Sequence, residues 1–264
     1  AQPAHQLRRR GQGPVPLEAV RDLATPEELV RWLRETEAWP LFGKPSNASH
    51  GFGARGLRRR EGDEVVQVTD ERIGIEELVA RIDADARETG PYLLSELLEP
   101  REDFRRLCGS TLPSCRLVVL VRHGEPEPMA ATVLLPPDRQ HFSNARGLTT
   151  GSVCAGVDLE TGRLFQPLCS LGPDIKTATH HPTSGQRVDG FVIEGWREAV
   201  AMTLRASRAF SPFRMQHWDL SFTTRGPVLL ELNFIGDLEP MQVAGPPGLM
   251  RPQFRSFYET HRVW

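Results

Sequence analysis

The sequence predicts an α+β fold of two subdomains enclosing a cleft, and three patterns within its 264 residues carry that prediction. A capped amphipathic helix begins sharply near residue 25. Strands and helices then fall into two groups on either side of a hinge at 97–101. Late in the chain, a hairpin at 217–233 lines polar side chains along one face.

In chain order, residues 1–24 are rich in Pro, Gly, Gln and Arg and read as a linker or the end of a truncated N-terminal segment; the chain opens at Ala1 rather than at a methionine. Thr25-Pro26-Glu27-Glu28 is a capping box with proline at the first helical position, and Leu29, Val30, Trp32 and Leu33 supply the apolar stripe that follows. A strand is expected at 39–44, a small-residue loop at 46–56, and strands at 57–60 and 64–68 around the turn Glu61-Gly62-Asp63. Ile75, Leu78, Val79, Ile82 and Ala86 recur at helical spacing, which predicts a helix over 75–88, and 92–98 reads as a buried strand. These elements make a first subdomain at 25–100. The second, 101–264, is expected to hold strands at 116–122, 129–135, 151–158 and 163–167, then a helix at 193–209 with Trp196, Ala199, Val200 and Leu204 on one face, and the hairpin.

Composition excludes several classes of function. Hydrophobic residues at 39% and charged residues at 25% are ordinary for a globular protein, and a net charge of -2 gives no reason to expect nucleic acid as partner. The arginine runs at 8–10 and 58–60 read as solvated faces. No stretch approaches the ~18 consecutive apolar residues of a membrane span, and the N-terminus has no apolar signal core, so a cytoplasmic protein without a membrane partner is expected. Cys108, Cys115, Cys154 and Cys169 lack CxxC spacing and read as reduced thiols.

The hairpin HWDLSFTTRGPVLLELN carries the most chemistry. Trp218, Leu220 and Phe222 alternate with His217, Asp219 and Ser221, while Leu230 and Leu232 alternate with Glu231 and Asn233. With Arg225-Gly226 as the two-residue loop and Thr224 paired with Pro227, Asp219 is expected directly opposite Glu231 at a Cβ separation of roughly 5 Å. Two carboxylates and an amide oxygen on one face make a hard-oxygen site of the kind Mg²⁺ takes. A hairpin whose polar side faces solvent is the competing reading.

Gly51, Gly53 and Gly56 match GxGxxG, but LRRREGDEVVQV follows as a hairpin pattern, not the helix that a dinucleotide-binding turn requires. In a protein-kinase loop the lysine comes after the glycines, whereas Lys44 precedes them. A flap whose backbone N–H groups cover polyphosphate, with Lys44 as a point charge at its base, is the remaining physical idea, beside an ordinary Gly/Ser surface turn. Residues 92–98, YLLSELL, could present a backbone edge to adenine or be a core strand. Arg116, opening the strand RLVVLV, could reach a transferring phosphate or form a structural ion pair. His180 and His181, in the stretch 180–185, read as a candidate acceptor-side or phosphate-side loop with Lys176 nearby, and solvent exposure is the alternative.

Lys44, the glycine-rich flap, the YLLSELLEP hinge, Arg116 and WDLSF…GPVLLELN together resemble the ATP-grasp superfamily. Through LFGKPSNASHGFGARG, THHPTSGQRVDGFVIEGW and HWDLSFTTRGPVLLELN, the chain is most similar to the sugar-transfer-associated ATP-grasp group over roughly 25–245. The resemblance implies an ATP-grasp fold, ATP and Mg²⁺ (two ions) as cofactors, and phosphoryl transfer to a small-molecule carboxylate followed by capture by an amine or other nucleophile. An ATP-grasp phosphotransferase and a non-catalytic nucleotide-binding module stay open beside that ligase.

Carried over residue by residue, the resemblance assigns Lys44 to the ATP phosphates and Gly51, Gly53 and Gly56 to the loop covering them. It assigns Glu96 and Leu98 to adenine, Arg116 to the transferring phosphoryl group, and Asp219, Glu231 and Asn233 to Mg²⁺. Asn144, in SNARGL, matches an asparagine before a glycine-rich strand, and either Glu99 or Glu102 is expected on the ribose. The segment 109–115 departs from the usual Asn-Thr lead into the arginine, and a separate N-terminal substrate-binding domain is expected to be absent or reduced to 1–40.

Overall fold

The structure, a computed structural model, describes residues 21–48, 51–141, 151–170, 174–244, 249 and 251–261. Asn144 and most of the expected N-terminal linker lie outside the described residues.

The first group of elements runs α1 (Pro26–Glu35), β1 (Leu41–Pro45), β2 (Arg55–Glu61), β3 (Glu64–Gln67), β4 (Arg72–Gly74), α2 (Ile75–Thr89) and β5 (Tyr92–Glu96), and its strands form a five-stranded sheet ordered β4-β3-β2-β1-β5. The expected cap is present: Thr25 Oγ1 accepts from the Glu28 N–H at 3.3 Å, satisfying one of the orphan donors at the start of α1. Leu33, Leu41, Leu57, Val65, Ile73, Ile75, Leu78, Val79 and Ile82 pack as an aliphatic core between this sheet and its two helices.

The second group comprises α3 (Glu102–Cys108), β6 (Ser114–Arg122), β7 (Glu125–Leu135), β8 (Val153–Val157), β9 (Leu164–Ser170), β10 (Ile175–Thr177), α4 (Trp196–Ala209), β11 (Met215–Thr223), β12 (Gly226–Asn233), α5 (Glu239–Ala244) and α6 (Pro252–Thr260). Its seven-stranded sheet is ordered β10-β9-β8-β7-β6-β11-β12, and every named pairing in both sheets is antiparallel.

Period-two alternation divides this sheet into two faces. Cys115, Leu117 and Val119 of β6 and Trp218, Leu220 and Phe222 of β11 join Phe104 and Trp196 in one core. Val118 and Leu120, on the opposite face, pack with Met241, Phe254 and Phe257 of α5 and α6. Arg116 and Asp219 share the parity of that second face, so the candidate site lies on the side away from α4.

Three expectations need correction. The stretch at 92–98 is not a buried strand: β5 ends at Glu96, bonds only to β1 within its sheet, and leaves Leu93 52% exposed. The hairpin turns one residue earlier than expected, with Thr223 opposite Gly226, and a bulge between Asp219 and Leu220 gives β12 an extra residue, Leu230. Strict counting through an Arg225-Gly226 loop would have set Asp219 against Leu232; the bulge is what puts it opposite Glu231. Five short elements, β4, α3, β10, α5 and α6, were not expected, since three to nine residues are too few to display a period.

Candidate phosphoryl-transfer and metal site

Antiparallel register sets Asp219 opposite Glu231 on one side and opposite Arg116 on the other, while His217 stands opposite Asn233 and Val118. Directly opposed residues point to the same face, so Arg116, Asp219, Glu231 and Asn233 converge without help from any loop.

Arg116 grips Asp219 with a two-pronged contact, Nε to Oδ1 and Nη2 to Oδ2, both 2.7 Å. The Asn233 amide bridges the two carboxylates, 3.2 Å from Asp219 Oδ2 and 3.2 Å from Glu231 Oε1. Lys44, on β1 of the other sheet and 187 positions away, closes the row with Nζ 3.3 Å from Glu231 Oε2. The sequence readings of Lys44, Arg116, Asp219, Glu231 and Asn233 therefore meet in one network.

Burial raises the Asp219 pKa, and the Arg116 charge only partly offsets it. Burial also works against ionisation of Glu231, but the Asn233 hydrogen bond and the Lys44 charge outweigh it, and its pKa is lowered. Two adjacent carboxyl groups with opposed shifts, each leaning on a cation, form a set that a divalent ion suits. Turning the Asn233 amide presents its oxygen as the third donor. Among the described residues no three His, Cys, Asp or Glu side chains cluster as a metal site, so the set depends on the amide. These residues fit Mg²⁺.

The flap is anchored at its base. The Gly53 carbonyl accepts from Arg55 Nη1 at 2.6 Å and from the Tyr92 hydroxyl at 2.8 Å, and the same Arg55 nitrogen lies 2.6 Å from Asp85 Oδ2. Gly53 has φ +68, and a methyl group there would meet Pro45 at 2.9 Å, so the turn requires glycine. Gly51 also has positive φ, whereas Gly56 is a strand residue whose N–H donates to His141 Nδ1 of the second group at 3.2 Å. Ser49 and His50 of the loop lie outside the described residues.

At the hinge the Leu97 N–H donates to the Pro40 carbonyl, and no hydrogen bond engages the Leu98 backbone among the described residues. Glu96 pairs with Arg225 of the β11–β12 turn at 2.9 Å, a contact between the two sheets that sequence reasoning missed. Of the two ribose candidates, Glu99 pairs with Arg105 at 3.1 Å, while Glu102 lies at the start of α3, 3.9 Å from the same arginine.

The loop around His180 and His181 stands apart from this network. His181 is buried, its Nδ1 3.5 Å from the Ser184 N–H, and Ser184 Oγ donates to the Leu107 carbonyl at 2.6 Å, so the turn is tied to the end of α3. His180 and Lys176 are exposed.

His217 is a further residue that the sequence left without a role, although alternation had put it on the polar face. It is 0% exposed, and neither ring nitrogen has a hydrogen-bond partner among the described residues. Burial first, then the Arg116 charge, push its pKa down to about 4 against the opposing pull of Asp237.

Comparison with known proteins adds the family. The model of the family described as sugar-transfer associated ATP-grasp matches residues 24–256. A search of curated proteins found no match. Among solved structures, D-alanyl-alanine synthetase A of Vibrio cholerae aligns at 12% identity and a TM-score of 0.45, over 83% of this chain and 50% of that one. The biotin carboxylase domain of the Hydrogenobacter thermophilus 2-oxoglutarate carboxylase, solved with MgADP, ADP and bicarbonate, aligns at 15% identity and a TM-score of 0.45, over 86% of this chain and 38% of that one. The chain thus spans half or less of the length of these structures.

Proposed function

Because this chain belongs to the sugar-transfer associated ATP-grasp family, we propose that it is an ATP-dependent ligase joining a carboxylate to an amine or other nucleophile. Its substrate would be a sugar-linked or small biosynthetic compound. The observation that carries the reading is the charge-matched row from Lys44 through Glu231, Asn233 and Asp219 to Arg116, drawn from both sheets.

In that row each anion already leans on a cation. Nucleotide binding then exchanges partners, with Lys44 and Arg116 turning to phosphate oxygens, instead of stripping water from isolated charges. Asp219, Glu231 and Asn233 would hold Mg²⁺, proposed as two ions, which supplies charge neutralisation on the phosphate oxygens. A substrate carboxylate oxygen bonds to the γ-phosphorus as the bond to ADP breaks. The nucleophile then bonds to the acyl carbon, phosphate leaves, and the nucleophile gives up its proton. Arg116, once turned from Asp219, bears on the phosphoryl charge with two parallel guanidinium donors. Gly51 and Gly53 border the phosphates, the free backbone of Leu98 and the neighbouring Glu96 meet the adenine, and units 25–100 and 101–264 form the two walls. The ATP requirement and four free, buried thiols fit a cytoplasmic setting.

The test is ADP release from Mg²⁺ and ATP with pooled carboxylates and amines, wild type beside Glu231→Gln. Release that needs both pools and falls at least about a hundredfold in the variant is expected. Release with one pool and a phosphorylated product would make the protein a phosphotransferase. Mg-ATP binding without turnover across the panel would make it a non-catalytic module, and turnover by Glu231→Gln near wild type would remove the metal assignment.

A further inference from the structure

His217 occupies a position where polar chemistry has a cost and no visible return. It sits on β11 two residues before Asp219 and directly opposite Asn233, on the face that carries the metal and phosphoryl side chains. On its other side it faces Val118, at the edge of the apolar cluster under α5 and α6. Both ring nitrogens are buried without a partner among the described residues, although a neutral imidazole has one nitrogen that donates and one that accepts. An apolar side chain would fill the same place without that penalty.

The roof over the ring is the chain just after Asn233. Gly236 lies so close that a methyl group on it would overlap the imidazole at Cγ and Nδ1. The residues beside it turn outward, with Phe234 and Ile235 60% and 87% exposed. Gly236 covers this side of the ring, and Arg116 and Asp237 are near enough for their charges to act on it.

We propose that His217 is a further contact of the phosphoryl-transfer site, its imidazole donating a hydrogen bond to an oxygen of the transferring phosphoryl group when the 234–237 segment shifts off the ring. The proposal rests on the nucleotide-and-metal reading above. A donor aimed at charge that develops only during transfer has no partner in the resting site, which accounts for the orphaned N–H of the ring.

The test uses the whole chain, with MgADP plus fluoroaluminate as a mimic of the phosphoryl group in flight. Calorimetry on wild type, His217→Leu, His217→Gln and Glu231→Gln compares affinity for MgADP with and without fluoroaluminate. Fluoroaluminate is expected to tighten binding to the wild type, with that gain falling about tenfold or more in His217→Leu and partly restored in His217→Gln. In unaltered protein, where folding of a variant is not at issue, the ¹⁵N resonance of the His217 ring is expected to move when fluoroaluminate joins MgADP. A wild-type gain in His217→Leu, an unmoved resonance, or no gain in the wild type would each overturn the proposal and leave His217 a packing residue. No MgADP binding by the wild type, or equal binding by Glu231→Gln, would instead overturn the nucleotide-and-metal reading and this proposal with it. That result appears before fluoroaluminate is added, so the two failures are distinct.

Discussion

The two halves of the molecule place their polar groups differently. Around the five-stranded sheet, charges pair mostly at the surface, as in Arg34 with Asp63 and Glu76, Arg72 with Glu61, and Arg81 with Glu77, over a core whose fully buried members are all aliphatic. The seven-stranded sheet buries Phe104, Trp196, Trp218 and Phe222 together, and it also buries His217, Asp219, Gln216 and Ser221. Exposed pairs contribute little, whereas buried polar groups are costly unless something answers them. Gln216 is answered, its amide donating to three backbone carbonyls, and Ser221 donates to the Pro113 carbonyl at 2.6 Å. Asp219 is answered by the Arg116 guanidinium, and His217 has no partner among the described residues. The contrast thus separates a half that covers from a half that holds charge.

The strongest way to break this contrast is in the aromatic core. Phe222 is stacked on Phe104 with centroids 5.7 Å apart, and the Arg101 guanidinium lies 5.5 Å from its ring. Phe222→Ala is expected to cost about 3–5 kcal/mol in urea unfolding. A loss below about 1 kcal/mol would mean that this half is not organised around its aromatics.

Gly53→Ala acts on the covering half. Strain at positive φ and the contact with Pro45 are expected to cost about 1–2 kcal/mol and to weaken ATP affinity. Unchanged affinity in a titration would separate the flap from the phosphates.

A pH series sharpens the comparison where the halves touch. His141 accepts from the Gly56 N–H, which requires a bare Nδ1. Burial, against the pull of Glu71, holds its pKa below the ordinary 6.5. A lowered histidine pKa means the contact is fully present above about 6.5 and is lost as pH falls through the lowered value. Hydrogen exchange at Gly56 should accelerate on that descent and become pH-independent, after correction for intrinsic rates, in His141→Leu. The same acceleration in the variant would assign the effect elsewhere.

The smallest effect is expected at the surface. Glu77→Ala removes an exposed pair one helical turn from Arg81 and should change stability by no more than about 0.5 kcal/mol. A larger loss would show that the first half leans on its surface charges after all.

Local periodicity was enough to find α1, α2, α4 and the strand pair that carries Asp219, Glu231 and Asn233. A cap, a 3.6-residue stripe and a two-residue alternation are properties of neighbouring residues, and they point the same way before and after folding. The family resemblance, too, rested on short contiguous motifs.

Only the tertiary structure decided the rest. Lys44 meets Glu231 across 187 positions because folding brings β1 of one sheet against β12 of the other. The bulge at Leu230 corrects a register that counting alone would misplace. Arg225 finds Glu96, and the Gly53 carbonyl finds Tyr92, through backbone paths that no spacing in the chain encodes. Whether His217 is a solvated side chain or a buried ring under Gly236 depends on where the chain goes after Asn233. Burial and long-range pairing are decided by packing, which a sequence pattern specifies one face at a time and never across the gap between faces.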